Sequence, residues 1–396
     1  MALYAFDGTW NTAKDNEDPK HQNTNVVRFF QAYHRRSNTD DFYLAGVGTR
    51  FDAVGKVLGG VFGLGELPRI NEAYDHLCKA WAAGDTIIDV VGFSRGAATT
   101  LDFCHCIQER GIRRPGSDEV VEANPGIRFL GVWDVVAGFG LANLGNTALN
   151  VGHHLSLPKS SLQYCFHAMA LDERRPSFLP TRLPGAYEVW FRGVHSDVGG
   201  GNANRGLNDI ALKWMLSKAK AALLPITDEE ISVLRPDPTD TPKPDHKLPL
   251  SVRLIGAVDR RHYTVSPMDG CTDPPGTCLV ETPSDEQAAT ELSAGGLQVL
   301  PPEVQRRVAA MWETAEAVAT ANDLNLDQVR DPLLALFEGR ISLVTNEDEL
   351  TTARKAVNRL LLTMIEGVRE RGFHVMTDFF LTEALFKLPR LFPLTD

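Results

Sequence analysis

The chain has 396 residues, 43% hydrophobic and 23% charged, enough apolar content to bury one large core or two smaller ones. A formal net charge of -11 argues against nucleic acid as a partner, because a sequence-independent grip on phosphates needs a basic face, and no run approaches the ~20 apolar residues of a membrane span. The opening MALYAFDGTWN has no basic leader, so synthesis in the cytoplasm without a signal peptide is expected, with any export by another route.

ALYAF (2–6) reads as a short buried strand ending in the turn signal DGT, and NVVRFFQAY repeats apolar residues at helical spacing. DFYLAGV is strand-like, RINEAYDHLCKAW helical, and TIIDVVGF a buried strand running into the small-residue helix RGAATTLDFC. IRFLGVWDVV (127–136) and AYEVWFRGV (186–194) are further strands, while LQYCFHAMALDE and NDIALKWMLSKAKAAL read as helices. Strands alternating with helices predict an α/β fold with a mainly parallel sheet flanked by helices. Two proline-rich or turn-rich surface excursions follow, at about 236–249 and 266–280, and 301–337 and 347–396 look helical. The organisation predicted is a catalytic domain over 1–285 and a helical elaboration or cap over 286–396. The apolar terminal stretch FLTEALFKLPRLFPL reads first as a helix docked on the core, with a membrane or partner contact as the alternative.

Gly92, Phe93, Ser94, Arg95 and Gly96 form G-x-S-x-G between that strand and that helix. A nucleophilic serine on such a turn sits in strained backbone, and glycines two positions to either side leave room for strand and helix to cross. The following helix points its N-terminus at Ser94, so the Arg95 N–H is a candidate oxyanion donor, with the turn at Gly8 or Thr9 supplying the second. A serine hydroxyl also needs a histidine base oriented by a carboxylate. Asp134 in GVWDVV and Asp197 in GVHSDVGGG each sit just past a strand, and His195, His246 and His262 are the bases to weigh. This chemistry requires no metal or cofactor.

Other patterns carry less. AFDGTWN has Ala5 where a D-x-D-G-T phosphatase needs its nucleophile, so Asp7 is expected to organise the turn. Gly199, Gly200 and Gly201 lack the lysine of a phosphate-cradling loop. Cys104 and Cys106 flank His105 without the four ligands of a zinc site, and Cys271 and Cys278 share a turn-rich loop as either a pair or two thiols. LDERR (171–175) reads as an ion-pair network on or at the end of a helix, with a phosphate head group as the sharper alternative for one of its arginines. Two glycine-rich apolar stretches, 54–67 and 136–152, are either buried packing or, for the second, a lipid-facing wall.

In order, FDGTWN, GFSRGA, FLGVWDVV, HAMALDERRPSF and VWFRGVHSDVGGG resemble the successive motifs of a family of α/β-hydrolase domains that includes bacterial type VI secretion phospholipase effectors of the Tle1-like class. The resemblance covers roughly residues 2–266 and implies an α/β-hydrolase-like fold and hydrolysis of a phospholipid ester. It also implies delivery into a competing cell, with a membrane surface as the site of action and a cognate immunity protein and a secretion-spike component as partners. The family places a histidine in H-x-S-V after the glycine run, matched by RRHYTVSPM except that Thr264 replaces serine. That match ranks Ser94, Asp197 and His262 first as the triad. Ser94, Asp134 and His195 rank second, with Asp134 and His195 as loop-fixing groups the bland alternative. His246 falls in a charged excursion and is expected to be solvated. Rival readings are an esterase or thioesterase on a soluble acyl substrate, and a non-catalytic hydrolase-fold interaction module.

Overall fold

The computed structural model describes residues 1–292 apart from 14–21, 47–61, 137–156, 243–252 and several shorter gaps. In chain order its elements are β1 (Ala2–Phe6), α1 (Asn25–Ser37), β2 (Phe42–Leu44), α2 (Phe62–Ala82), β3 (Ile88–Phe93), α3 (Arg95–Arg110), β4 (Ile112–Arg113) and β5 (Val120–Glu122). There follow β6 (Ile127–Trp133), β7 (Leu162–Ala170), β8 (Tyr187–Phe191), α4 (His195–Gly199), α5 (Arg205–Ala221), α6 (Asp228–Ser232), β9 (Arg260–His262), β10 (Leu279–Glu281) and α7 (Pro283–Glu286).

Eight strands form one sheet in the order β10-β9-β8-β7-β6-β3-β1-β2, and every described pair within it is parallel. β1 and β3 are buried along their whole length, as strands covered on both faces must be. Phe29 of α1 and Trp214 and Met215 of α5 pack with Phe129, Phe166 and Phe191 on one face. On the other, Tyr74 and Leu77 of α2 and Leu101 and Phe103 of α3 pack on Tyr4, Val90 and Leu130. This is the α/β architecture expected of a hydrolase-like domain. No helix among the described residues is long and apolar enough to cross a membrane.

One prediction is corrected. LQYCFHAMALDE was expected to be helical, yet Leu162–Ala170 is β7, paired with β6 on one side and β8 on the other. Cys165 to Ala170 are buried on both faces, so no polar alternation marks the strand, and alanine and methionine there mimic a helix-former run. LDERR consequently lies beyond a strand end rather than on a helix.

α7 is tied to α5 by Lys218 Nζ, which donates to the carbonyls of Asp285 and Ala288 and pairs with Glu281 at 2.8 Å. The elaboration expected over 286–396 lies outside the described residues beyond 292, as do most of 54–67 and 136–152 and all of FLTEALFKLPRLFPL. Cys278 is a buried thiol among Met169, Trp190, Ile255 and Val265.

The chain leaves β1 for the sheet edge at β2 and returns across it to β3, so the strand order reverses at β1. Ligands of open parallel sheets sit outside the strand C-termini at such a reversal, where β1, β3 and β6 end in Asp7, Ser94 and Asp134.

Candidate active site

β3 ends at Phe93 and α3 begins at Arg95, leaving Ser94 alone to make the turn, with φ 59 and ψ −126. A non-glycine residue in that region is strained, and it is held there because the Ser94 N–H donates to Trp133 O at 3.0 Å. The flanking glycines have steric causes. A Cβ on Gly92 would stand 2.5 Å from Thr100 Cγ2 and 2.9 Å from Ala97 Cα; one on Gly96 would stand 2.4 Å from both Phe6 O and Asp7 O. Only with those atoms absent can the N-terminal turn of α3 lie against the end of β1, presenting its first N–H, that of Arg95, beside Ser94.

Ser94 Oγ lies 2.8 Å from His195 Nε2, and His195 Nδ1 lies 2.6 Å from Asp134 Oδ2. The three come from the ends of β3 and β6 and the start of α4, and all are buried. The imidazole is held between two rings, Phe93 at 4.6 Å and Phe178 at 4.7 Å between centroids. Its backbone N–H donates to Glu173 Oε2 at 3.2 Å. Because Nδ1 faces a carboxylate it carries the proton, leaving the Nε2 lone pair for the serine hydroxyl.

Asp134 is fully buried at φ 40. Its Oδ1 accepts from Ala170 N at 3.0 Å and Arg253 Nη1 at 2.6 Å, and its Oδ2 accepts from Arg253 Nη2 at 3.0 Å as well as from His195. Burial alone would push this carboxyl up, but the Arg253 guanidinium and then His195 hold it well below the usual carboxylate range. Asp134 therefore stays an anion facing the imidazole. Behind it, Val135 N–H donates to His167 Nε2 at 3.2 Å, and His167 Nδ1 donates to Glu188 Oε1 at 3.0 Å. Burial raises the Glu188 carboxyl, yet Arg182 and His167 bring it down to about 2.

Neither Arg253 nor His167 was singled out in the sequence. The available signal for Arg253 was a lone guanidinium in the apolar run SVRLIG, since a buried arginine requires a buried anion.

The first-ranked pairing of Asp197 with His262 is not formed. Asp197 caps its own short helix: its Oδ2 accepts from Val194 N at 2.9 Å and its Oδ1 from Asn202 Nδ2 at 2.6 Å. His262 ends β9, four strand spacings or about 19 Å across the sheet from β3. It stacks on Phe191 at 4.8 Å, with Nδ1 against Thr264 Oγ1 at 2.7 Å and Nε2 near Glu286 Oε2 at 3.4 Å. His195 reaches Ser94 because the chain turns back after β8, whereas β9 keeps His262 at the far side.

The Gly8 N–H, expected as an oxyanion donor, donates instead to Asp7 Oδ1 at 2.7 Å, and Thr9 lies outside the described residues, as does His246. Asp7 organises the turn, its Oδ2 also accepting from Thr24 Oγ1 at 3.0 Å and Tyr43 OH at 2.7 Å. In LDERR, Glu173 is buried beside His195 and receives Arg175 through Nε and Nη2, both at 2.9 Å, while the Arg175 guanidinium lies 3.6 Å over the Phe178 ring.

Residues 3–124 and 111–218 match the family described as "T6SS, Phospholipase effector Tle1-like, catalytic domain", a span of more than half the chain. The chain belongs to the Tle1-like family of type VI secretion phospholipase effectors. The matched region of this Tle1-like chain contains Ser94, Asp134 and His195, and ends before Arg253. A crystal structure of an uncharacterized protein from Pseudomonas aeruginosa is similar at 23% identity and a TM-score of 0.41, over 58% of this chain and 47% of that one. The chain thus spans about half the length of that protein. Comparison with curated proteins gives no match.

Proposed function

We propose that this Tle1-like chain is a serine esterase of the phospholipase A type, cleaving a carboxylic ester of a phospholipid with Ser94 as nucleophile, His195 as base and Asp134 as its orienter. The observation that carries the reading is the continuous chain from Ser94 Oγ through the His195 ring to Asp134, at 2.8 and 2.6 Å, on a strained strand-to-helix turn. The order serine, acid, histidine is the one the α/β-hydrolase sheet uses.

In the first half-reaction Ser94 Oγ attacks the ester carbonyl carbon while His195 Nε2 takes the hydroxyl proton. The carbonyl electron pair moves onto oxygen, where the Arg95 N–H at the start of α3 opposes the charge. Collapse expels the lysophospholipid alkoxide, which takes the proton from Nε2. Water then repeats the sequence on the acyl-serine, releasing a fatty acid and restoring Ser94. Asp134 stays ionised and stabilises the imidazolium in both halves. Family membership supports the lipid substrate, and with it an antibacterial role after type VI delivery into a target cell, where a membrane surface and an immunity protein would be met.

The test is release of free fatty acid and lysophospholipid from phosphatidylethanolamine/phosphatidylglycerol vesicles by wild type and by Ser94→Ala. Both products in equal amount, lost by about four orders of magnitude or more in the variant, support the reading. Hydrolysis of p-nitrophenyl butyrate with intact vesicles moves the substrate to soluble esters, and silence on both refutes the esterase.

A further inference from the structure

Resting on the serine-esterase reading, we infer that Arg253 is a positioning residue for that reaction, fixing the Asp134 carboxylate against His195 and supplying the counter-charge without which the Asp134–His195 pair would take up a proton at higher pH. Arg253 is 2% exposed and touches three sides of the imidazole's support. Its two terminal nitrogens straddle both Asp134 oxygens; Nη1 also donates to Ala170 O at 2.6 Å, at the end of β7, and Nη2 donates to the carbonyl of Phe178, whose ring packs on His195. A planar fork meeting a carboxylate in this way fixes its rotation as well as its distance.

The charges around the imidazole explain the second effect. From the end of β6 comes Asp134, from the 253 segment Arg253, and from the loop after β7 Glu173 with its partner Arg175; His167 on β7 meets the Asp134 turn through its ring nitrogen. Arg253 pairs with Asp134 and Arg175 with Glu173, while Asp197, two residues after His195 in α4, accepts from Val194 N and Asn202 Nδ2. A triad acid without such a partner would leave one more unpaired negative charge beside His195, drawing a proton onto the pair at higher pH. An opposite charge at this range moves a titration by about 1–3 pH units. The titration belongs to the pair, so it is read as the acid limb of reactivity and assigned to neither residue alone.

The test uses a fluorophosphonate probe, which needs no knowledge of the natural ester. Ser94 Oγ displaces fluoride from phosphorus, the hydroxyl proton leaves through His195, and the second-order labelling rate is measured between pH 4.5 and 9. Arg253→Gln removes the charge, and Arg253→Lys keeps it but loses the fork. The inference expects the acid limb of Arg253→Gln to rise by about one pH unit or more. For Arg253→Lys it expects the limb to stay within about half a unit, with a plateau rate about tenfold lower or less. Equal shifts in both variants, or none in either, overturn it. If circular dichroism shows Arg253→Gln unfolded, Arg253→Lys decides: a limb within about half a unit of wild type with a slower plateau supports the inference, and a shifted limb or an unchanged plateau overturns it. Ser94→Ala keeps the two readings apart. Wild type labelled at Ser94 with the same acid limb in Arg253→Gln sinks the role of Arg253 alone, whereas wild type unlabelled at Ser94 removes the serine esterase and this inference with it.

Discussion

Asp134→Asn removes one acceptor site from a fully occupied carboxylate. The native oxygens accept from four donors: Ala170 N, Arg253 Nη1, Arg253 Nη2 and His195 Nδ1. Asparagine keeps one carbonyl oxygen and substitutes an amide nitrogen that only donates. With that nitrogen facing His195, Nδ1 must become the acceptor, the ring proton moves to Nε2, and the lone pair that receives the serine proton is gone. Loss of the required tautomer at a triad acid costs about 10⁴ in kcat, or ~5.5 kcal/mol of barrier. The same change strips a buried guanidinium of its counter-charge, a further ~3–5 kcal/mol of stability against a typical total of about 5–15. The assay is kcat on p-nitrophenyl butyrate together with a thermal melt, for Asp134→Asn and for Asp134→Asn/Arg253→Met. Both proteins should be about 10⁴ slower than wild type, and the double variant should recover most of the lost melting temperature, because no unpaired charge remains. A folded Asp134→Asn within about tenfold of wild-type kcat would refute the orienting role of Asp134.

Three further outcomes follow from the same geometry. Gly96→Ala puts a Cβ 2.4 Å from Phe6 O and Asp7 O, backbone atoms that cannot swing aside, so it should lose about 1–3 kcal/mol in urea denaturation and labelling at Ser94 should fall with the displaced turn. Glu188, held near 2 in the native state against about 4.3 unfolded, contributes stability that is present above about pH 4.3 and lost as pH falls toward 2. Glu188→Gln should therefore flatten the acid side of the stability profile by about 3 kcal/mol, and an unchanged slope would contradict its pairing with Arg182 and His167. Burial pushes His262 below the ordinary histidine range despite Glu286, so the native state resists a proton that the unfolded state accepts. As pH falls below about 6.5 wild type should lose more stability than His262→Gln, and parallel profiles would show that His262 is not buried neutral.

The sequence's legibility varied with how local each cause was. β1, β3 and α3 were readable because continuous apolar runs and G-x-S-x-G act within a few residues of themselves. Asp134 could be singled out because it ends a recognisable strand. β7 reads as a helix in sequence because Cys165–Ala170 lies between two strands and two helix layers, which erases the alternation that distinguishes a strand from a helix. The choice of histidine was a question of strand order, which no spacing in the chain encodes. His262 stands 65 residues after Asp197 in a recognisable motif, but β9 puts it at the far side of the sheet, while His195 folds back to Ser94. Arg253 was harder still, for its partner lies 119 residues earlier and only the packed structure brings them together.

The most direct test of the central claim is second-order fluorophosphonate labelling of Ser94 at pH 7.5 in wild type, His195→Ala and His262→Ala, each verified as folded. The account predicts that His195→Ala loses about three orders of magnitude or more while His262→Ala stays within about tenfold of wild type. The reverse pattern, with His195→Ala reactive and His262→Ala silent, would contradict it.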